Sequence, residues 1–367
     1  MQLQTIPLAE ISPADLGRWR ELAARAIEPN PFHEPEYVLP LARGLGQLGD
    51  VQVMVVRDSE GWQACLPVDR RRWHRVPLSS VASWRGHYLY GLLGTPLASA
   101  DRTHDALAEL IRGLLATPGV GFAALEEVAD DGPVRAALDE VLKREAALLI
   151  ERFERPAVRR RPGPTYLEAA MSGKRRKQLR RLRRRLAEQL GEDPVCVDRA
   201  DEESAYSEFI ALEAAEEKAR QRSVLGENPA HAGFFMTMCD SFAELGRLQM
   251  LCLEGGGHTI AMQCNLLAGD VLFGVKVAYD QRWASFSPGA QLEVEGIRVF
   301  HENMALNLMD SCAGPTNPLL NRLWPDRRSV ATYALPANGP RGWVAAPALR
   351  LTRSLRELNR ARRARRQ

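Results

Sequence analysis

No apolar run in this 367-residue chain approaches the roughly 18 residues that a membrane-spanning helix needs. Its first residues, Met1 to Leu16, lack the basic stretch followed by an apolar stretch that marks a secretory signal. Together these absences point to a cytoplasmic protein. Cysteine is sparse, and Cys65, Cys196, Cys239, Cys252, Cys264 and Cys312 lie far apart with no C-x-x-C pair and no histidine at ligand spacing. That argues against a zinc site and against a disulfide framework, and leaves reduced thiols. Phosphate loops are missing too: Gly255-Gly256-Gly257 is not followed by Lys and Ser or Thr, and no G-x-G-x-x-G follows a strand-like run. His258 and His301 have no nucleophile and carboxylate at recognisable spacing, so a triad hydrolase finds no support.

What the chain does contain is ordinary globular composition, with 45% hydrophobic and 26% charged residues, at a length that favours two domains. Pro13 to Ile27 reads as a helix opening after Ser12, with Leu16, Trp19, Leu22, Ala23 and Ile27 on one face. Val51–Arg57 and Trp62–Asp69 flank the turn Asp58-Ser59-Glu60-Gly61, which is a hairpin signal. A strand at Tyr88–Leu93, a loop with Gly94 and Pro96, a helix from Arg102 to Leu115, a strand at Phe122–Val128 and a helix at Pro133–Ala147 follow.

About two hundred residues later the order recurs. Leu248–Leu253 and Thr259–Leu267 flank Glu254 to Gly257, Val271–Ala278 gives a strand, and Ser287-Pro288-Gly289 opens a helix reaching about Met309. The repetition predicts an internal duplication of an α/β (α+β) unit with a mostly antiparallel sheet flanked by helices. Arg159 to Pro164, rich in Arg and Pro, reads as the linker. The expected spans are 1–158, 159–340 and a basic tail at 341–367.

Net charge is only +3, but the basic residues cluster. From Ser172 to Gly191 a capping Ser precedes Lys174, Arg175, Arg176, Lys177, Arg180, Arg181, Arg183, Arg184 and Arg185, with Leu179, Leu182, Leu186 and Leu190 at helical spacing. Either this is a solvated face or it meets an anionic partner that relieves the repulsion between like charges. No aromatic residue interleaves the run, which favours phosphate contact over base stacking. The tail, with Leu351, Leu355 and Leu358 among eight arginines from Leu349 onward, reads as a solubilising tail or a basic amphipathic helix.

The most informative stretch is Lys276-Val-Ala-Tyr279-Asp280 followed by Ser287-Pro288-Gly289-Ala290-Gln291-Leu292 and, further on, Asp310. A buried strand ends by presenting Lys276, Tyr279 and Asp280. A helix then starts with a hydroxyl suited to capping, a Pro with preset backbone angle and a small residue, and such a terminus is an anion site. Lys276 could equally pair with Asp280 or Asp310, and Tyr279 and Trp283 could serve only in packing.

This segment resembles the K-x-A-Y-D and S-P-G-x-x-L signature of the CelD-like acyltransferases of the GNAT superfamily, relatives of the Fem aminoacyltransferases. Pro31 to Tyr37, Ser172 to Lys177, Glu217-Lys218-Ala219-Arg220, and Asp310 with Gly314 and Trp324 resemble further segments of that family in the same order. Glu217, where the family often has Trp, and Asn317 to Asn321 depart from the pattern.

The resemblance implies tandem GNAT-like domains and transfer of an acyl group from acyl-CoA, as co-substrate and without a metal, to an amine or, less often, a hydroxyl. Such a reaction needs a base, an oxyanion site and an acid, and the expected assignments are Asp280 or a water it holds as base, Tyr279 as acid or orienter, backbone N–H groups near Lys276 as oxyanion site and Ser287 to Leu292 as the donor-phosphate turn. Lys174, Arg175, Lys218, Arg220, Asp310 and Trp324 become candidates for binding the acceptor. The acceptor would be an amino sugar, an amino acid or a cell-envelope or exopolysaccharide precursor of a bacterium. Fem-like transfer from aminoacyl-tRNA, or a noncatalytic role in holding RNA, an anionic polymer or a membrane, are the competing readings.

Overall fold

Turn chemistry and β-branched runs set out strands through most of the chain. A computed structural model describes residues 1–72, 79–86, 90–162, 166–220 and 225–364. The strands are β1 (Gln2–Pro7), β2 (Gln52–Asp58), β3 (Gly61–Arg72), β4 (Ser79–Ser83), β5 (Leu97–Ala98), β6 (Phe122–Ala129), β7 (Leu148–Arg159), β8 (Val195–Asp198), β9 (Leu248–Gly255), β10 (His258–Ala268), β11 (Val271–Tyr279), β12 (Leu308–Asp310) and β13 (Asp326–Pro336). The helices are α1 (Pro13–Ala24), α2 (Pro35–Gly44), α3 (Thr103–Leu115), α4 (Pro133–Arg144), α5 (Tyr166–Ala170), α6 (Gly173–Leu190), α7 (Glu203–Arg220), α8 (Pro229–Glu244), α9 (Pro288–Glu302), α10 (Leu320–Leu323) and α11 (Pro340–Ala364). Among the described residues no helix is long and apolar enough to cross a membrane.

Two units emerge: Met1–Glu154 with Arg328–Gln367, and Arg155–Arg327. In the first the strand order is β1-β2-β3-β4-β6-β13, antiparallel except for the parallel β4–β6 pair, with β5 against β3. In the second it is β8-β9-β10-β11-β12-β7, again antiparallel except for one parallel pair, β11–β12. The duplication is therefore present in the topology. Each unit closes with a strand from the other half of the sequence, because β13 pairs β6 and the end of β7 pairs β12. The units thus divide the chain differently from the spans 1–158, 159–340 and 341–367.

Helix ends follow local chemistry where caps are local. Ser12 and Asp15 form a reciprocal capping box at α1. Ser172 accepts the Arg175 N–H at the start of α6, and Gly191, at φ 81°, ends it. Leu179, Leu182 and Leu186 of α6 are buried as the leucine periodicity requires.

The first core gathers Leu107, Leu110 and Leu114 of α3 with Leu138 of α4 against the sheet; the second joins Ile297 and Phe300 of α9 to Met309 and Trp324. Each such aliphatic or aromatic residue contributes about 1.5–3 kcal/mol on leaving water.

Three expectations are corrected. Helix α9 stops at Glu302 and not near Met309, because the Arg160 guanidinium donates to the carbonyls of Phe300 (3.0 Å), His301 (3.2 Å), Asn303 and Leu306. Those bonds satisfy the helix's last acceptors and turn the chain into β12. The same arginine shows that Arg159–Pro164 is not a free linker: Arg159 belongs to β7 and Arg160 is bound, while residues 163–165 lie outside the described ones. Of the strand placed at Tyr88–Leu93, residues 88 and 89 lie outside the described ones and 90–93 are not in a strand; the strand that precedes them is Ser79–Ser83.

Candidate functional site

In the second unit β11 carries a bulge. Cys264 pairs Lys276 and the next β10 residue, Asn265, pairs Gly274, so Val275 has no partner on β10. On its other edge β11 pairs β12 only through Val271, Leu272 and Phe273, the last opposite Asp310. Beyond that point the two parallel strands separate. The chain leaves β12 through Cys312, whose φ of 50° is left-handed and whose N–H donates to Asp310 Oδ1 at 3.0 Å. Asp310 is itself fixed by Arg155 at 2.7 Å, both side chains being buried. Gly274 sits at the fork, where a Cβ would come within 3.1 Å of the Ser311 carbonyl oxygen. A cleft of about 670 Å³ opens there, lined by β11 from Gly274 to Tyr279, by the loop from Ser311 to Leu320, and by Gly289, Glu293, Gln263, Asn265 and Trp324.

Of the residues singled out in the sequence, this cleft brings together Lys276, Tyr279, Gly289 and Trp324. Lys276 forms an ion pair with neither Asp280 nor Asp310 but with the buried Glu213 of α7, whose other oxygen accepts the Leu225 N–H at 3.0 Å. Trp324 Nε1 donates to Glu293 Oε2 at 3.1 Å. Ala290, Gln291 and Leu292 are buried in the first turns of α9, and Gln291 Nε2 donates to the Phe286 carbonyl at 2.9 Å. Gly289 has open space in front of it, with only a Tyr279 ring carbon at 3.8 Å from a built Cβ.

Asp280 is not among the cleft-lining residues. It caps the short helical turn Gln281–Phe286, accepting from the Arg282 N–H (2.9 Å) and Arg282 Nε (2.8 Å). Burial works to raise its pKa, but the Arg282 bonds outweigh it and hold the carboxyl below its usual range. Ser287 does not cap α9 with its hydroxyl: at φ 54° it is left-handed and makes no side-chain cap bond, and Pro288 follows it as the first helical residue. Asp310 is occupied by Arg155. Lys174 is exposed and Arg175 half-buried on α6, away from the cleft lining. Lys218 and Arg220 lie at the end of α7, with side chains outside the described ones.

The residue missed by the sequence reading is Glu293. It is 2% exposed, lines the cleft, and accepts from Trp324 and, at 3.4 Å, from Gln263 Nε2. Burial pushes its carboxyl up to about 7, against the opposing pull of those two hydrogen bonds. Its signal was available: Gly289, Glu293 and Gly296 share one helical face, between Leu292 and Ile297 of the core. Gly296 makes room for Gln263, whose Oε1 would lie 3.0 Å from a Cβ there. The arrangement offers a neutral-range carboxyl, an ion-paired lysine, a phenol and an unpaired strand edge around one cavity. Among the described residues no cluster of His, Cys, Asp or Glu could hold a metal ion.

A family model described as an acetyltransferase (GNAT) domain matches residues 173–317, which hold β11, β12, α9 and most of the cleft lining. Among solved structures the chain is similar to FemX at a TM-score of 0.62 and 9% identity, over 92% of this chain and 98% of that one. It is also similar to a conserved protein of unknown function from Bacteroides thetaiotaomicron, with a TM-score of 0.57, 12% identity, and 87% and 97% of the two chains covered. A third likeness is to the C-terminal domain of a protein provisionally described as a lysylphosphatidylglycerol synthetase from Agrobacterium fabrum (TM-score 0.52, 12% identity, 90% and 94% covered). No curated protein matches the chain in sequence. Residues 173–317 of the second unit thus match an acetyltransferase (GNAT) domain around the cleft, and the chain shares its fold with FemX.

Proposed function

We propose that the second unit transfers an acyl group from acyl-CoA to a primary amine, the acceptor being an amino sugar, an amino acid or an envelope or exopolysaccharide precursor. One observation carries the donor assignment: the edge of β11 beyond Phe273, unpaired by any strand among the described residues, faces a cleft that reaches the start of α9. An extended, amide-bearing donor arm can hydrogen-bond to such an edge as an added strand would. Its phosphates then fall to the free N–H groups of the first turn of α9, where Gly289 leaves the approach open. Arg185 of α6, 5.8 Å from the Phe286 ring, supplies a cation next to that turn.

In the reaction the amine nitrogen attacks the thioester carbonyl, the C–N bond forms, the C–S bond breaks, and the thiol leaves. Glu293 takes the ammonium proton, a task suited to a carboxyl that titrates near neutrality. Lys276, held by Glu213, places positive charge beside the developing oxyanion or thiolate, and Tyr279 is the hydroxyl that can return a proton to sulfur. Asp280, capped by Arg282, takes no part.

Calorimetric titration with acetyl-CoA and decanoyl-CoA tests the reading. Saturable binding that is abolished by Gly289→Trp is the expected result, and absence of binding to both donors overturns it. Aminoacyl-tRNA remains the second donor to test, on one observation: Lys174, Arg175, Lys177, Arg180, Arg181 and Arg185 have no carboxylate within ion-pair distance among the described residues, so α6 is a ready phosphate-binding face.

A further inference from the structure

Helix α11 buries one side and leaves the wrong kind of residue on the other. Gly342, Ala345 and Leu349 are buried, with Ala345 and Leu349 packed against Ala82, Phe122 and Ile150 of the first unit. The opposite face carries Trp343 (76% exposed), Val344 (64%) and Leu351 (62%), with Pro347 between them also in solvent. Spacings of four place Trp343, Pro347 and Leu351 on one stripe. These are three of the seven large hydrophobic residues exposed among the described ones, gathered within nine positions. Single exposed apolar residues need no explanation, whereas a contiguous stripe does.

Charge identifies what covers it. From Arg341 to the end the sequence holds nine arginines and one acid, Glu357, in a chain whose net charge is only +3. Arg341 and Arg350, on the same exposed stretch as the stripe, are in solvent. An aromatic and aliphatic stripe flanked by arginines matches the boundary of an anionic bilayer, where apolar side chains enter the acyl region and guanidinium groups meet phosphates. A second copy of the helix would bring arginine against arginine. RNA would use the arginines but gain nothing from Val344 and Leu351.

We infer that α11 is an interfacial helix that seats the enzyme on anionic phospholipid membranes through Trp343, Val344 and Leu351. The full chain, floated with phosphatidylcholine vesicles and with vesicles containing phosphatidylglycerol, is expected to bind only the latter, more weakly as salt rises. Bromine-labelled acyl chains should quench indole fluorescence in the wild type but not in Trp343→Phe. Exchanging Trp343, Val344 and Leu351 for Ser should weaken vesicle affinity by about tenfold or more, because two to three apolar side chains no longer leave water. Circular dichroism and acetyl-CoA titration report whether the variants remain folded. An α6 variant with Lys177, Arg181 and Arg185 changed to Gln separates the two basic surfaces. No binding to anionic vesicles, binding lost in the α6 variant but not in the Ser variant, or binding without quenching of Trp343 would each overturn the inference. So would co-purification with RNA in place of vesicle binding.

Discussion

The two units repeat one topology but treat the fork between their parallel strands in opposite ways. In the second unit β11 and β12 part after three residue pairs and the space between them stays open. In the first, β4 and β6 also pair over three residues, Ser80–Phe122, Val81–Ala123 and Ala82–Ala124. There the chain itself lies along β6 beyond the fork. The Gly94 N–H donates to the Glu127 carbonyl at 3.0 Å, and the Ala129 N–H donates to Thr95 Oγ1 at 2.9 Å. Asn30 Nδ2 holds that segment through the carbonyls of Leu93 and Thr95, at 3.2 and 2.8 Å. A Cβ at Gly94 would lie 1.9 Å from the Glu126 carbonyl oxygen, so the fit depends on glycine.

The helices differ accordingly: the face of α3 that packs on the sheet is apolar, with Ala106, Leu107, Leu110 and Ile111, whereas α9 puts Gly289, Glu293 and Gly296 there. One topology has a filled fork in one copy and an open cleft in the other. What decides between them is whether the strand edge is satisfied by the chain or left for a ligand.

The comparison is sharpened most by removing Glu293. Glu293→Gln is expected to lower acyl transfer by about 10²–10⁴-fold and to flatten a rate that in the wild type rises with pH through about 7, measured by release of free thiol from acetyl-CoA. An unchanged pH profile would assign the base elsewhere.

The next effect is on stability. Arg155→Ala leaves Asp310 buried without its cation, and should cost about 3–5 kcal/mol in urea unfolding. That loss should fall on the unit that Arg155 helps to close.

A smaller effect separates the role of Glu293 in chemistry from its cost in folding. Its carboxyl is raised from 4.5 in the unfolded chain to about 7 when folded, so the folded state holds the proton more tightly. Stability is therefore fullest below the unfolded value and falls as pH rises towards the folded one. Glu293→Gln, free of this penalty, should melt at least roughly 2 °C above the wild type at pH 8 and near it at pH 4.

Much of this architecture is legible in the residues. The hairpins around Asp58–Gly61 and Glu254–Gly257, the Ser12 and Ser172 caps and the Gly191 stop are local signals, and the structure places elements where they fall. What is set at long range is not legible. The exchange of β7 and β13 rests on pairs such as Val330 with Ala129, two hundred residues apart, and the end of α9 is fixed by Arg160 from far upstream.

The site divides in the same way. Lys276, Tyr279, Gly289 and Trp324 stand out in the sequence and line the cleft, but the partner of Lys276 is Glu213, sixty residues earlier in another helix. Asp280 looks catalytic beside Tyr279 until Arg282, two residues on, claims it. Glu293 shares a helical face with Gly289 and Gly296, a signal present in the sequence, but the partners that fix it, Trp324 and Gln263, come from distant elements.

Hydrogen exchange read by mass spectrometry, with and without acetyl-CoA, shows which fork takes the donor. One donor should bind per chain, with slowed exchange confined to 274–279 and 288–293 and none in 80–86, 90–97 or 103–115. Protection at the fork of the first unit, or two donors bound per chain, would contradict it.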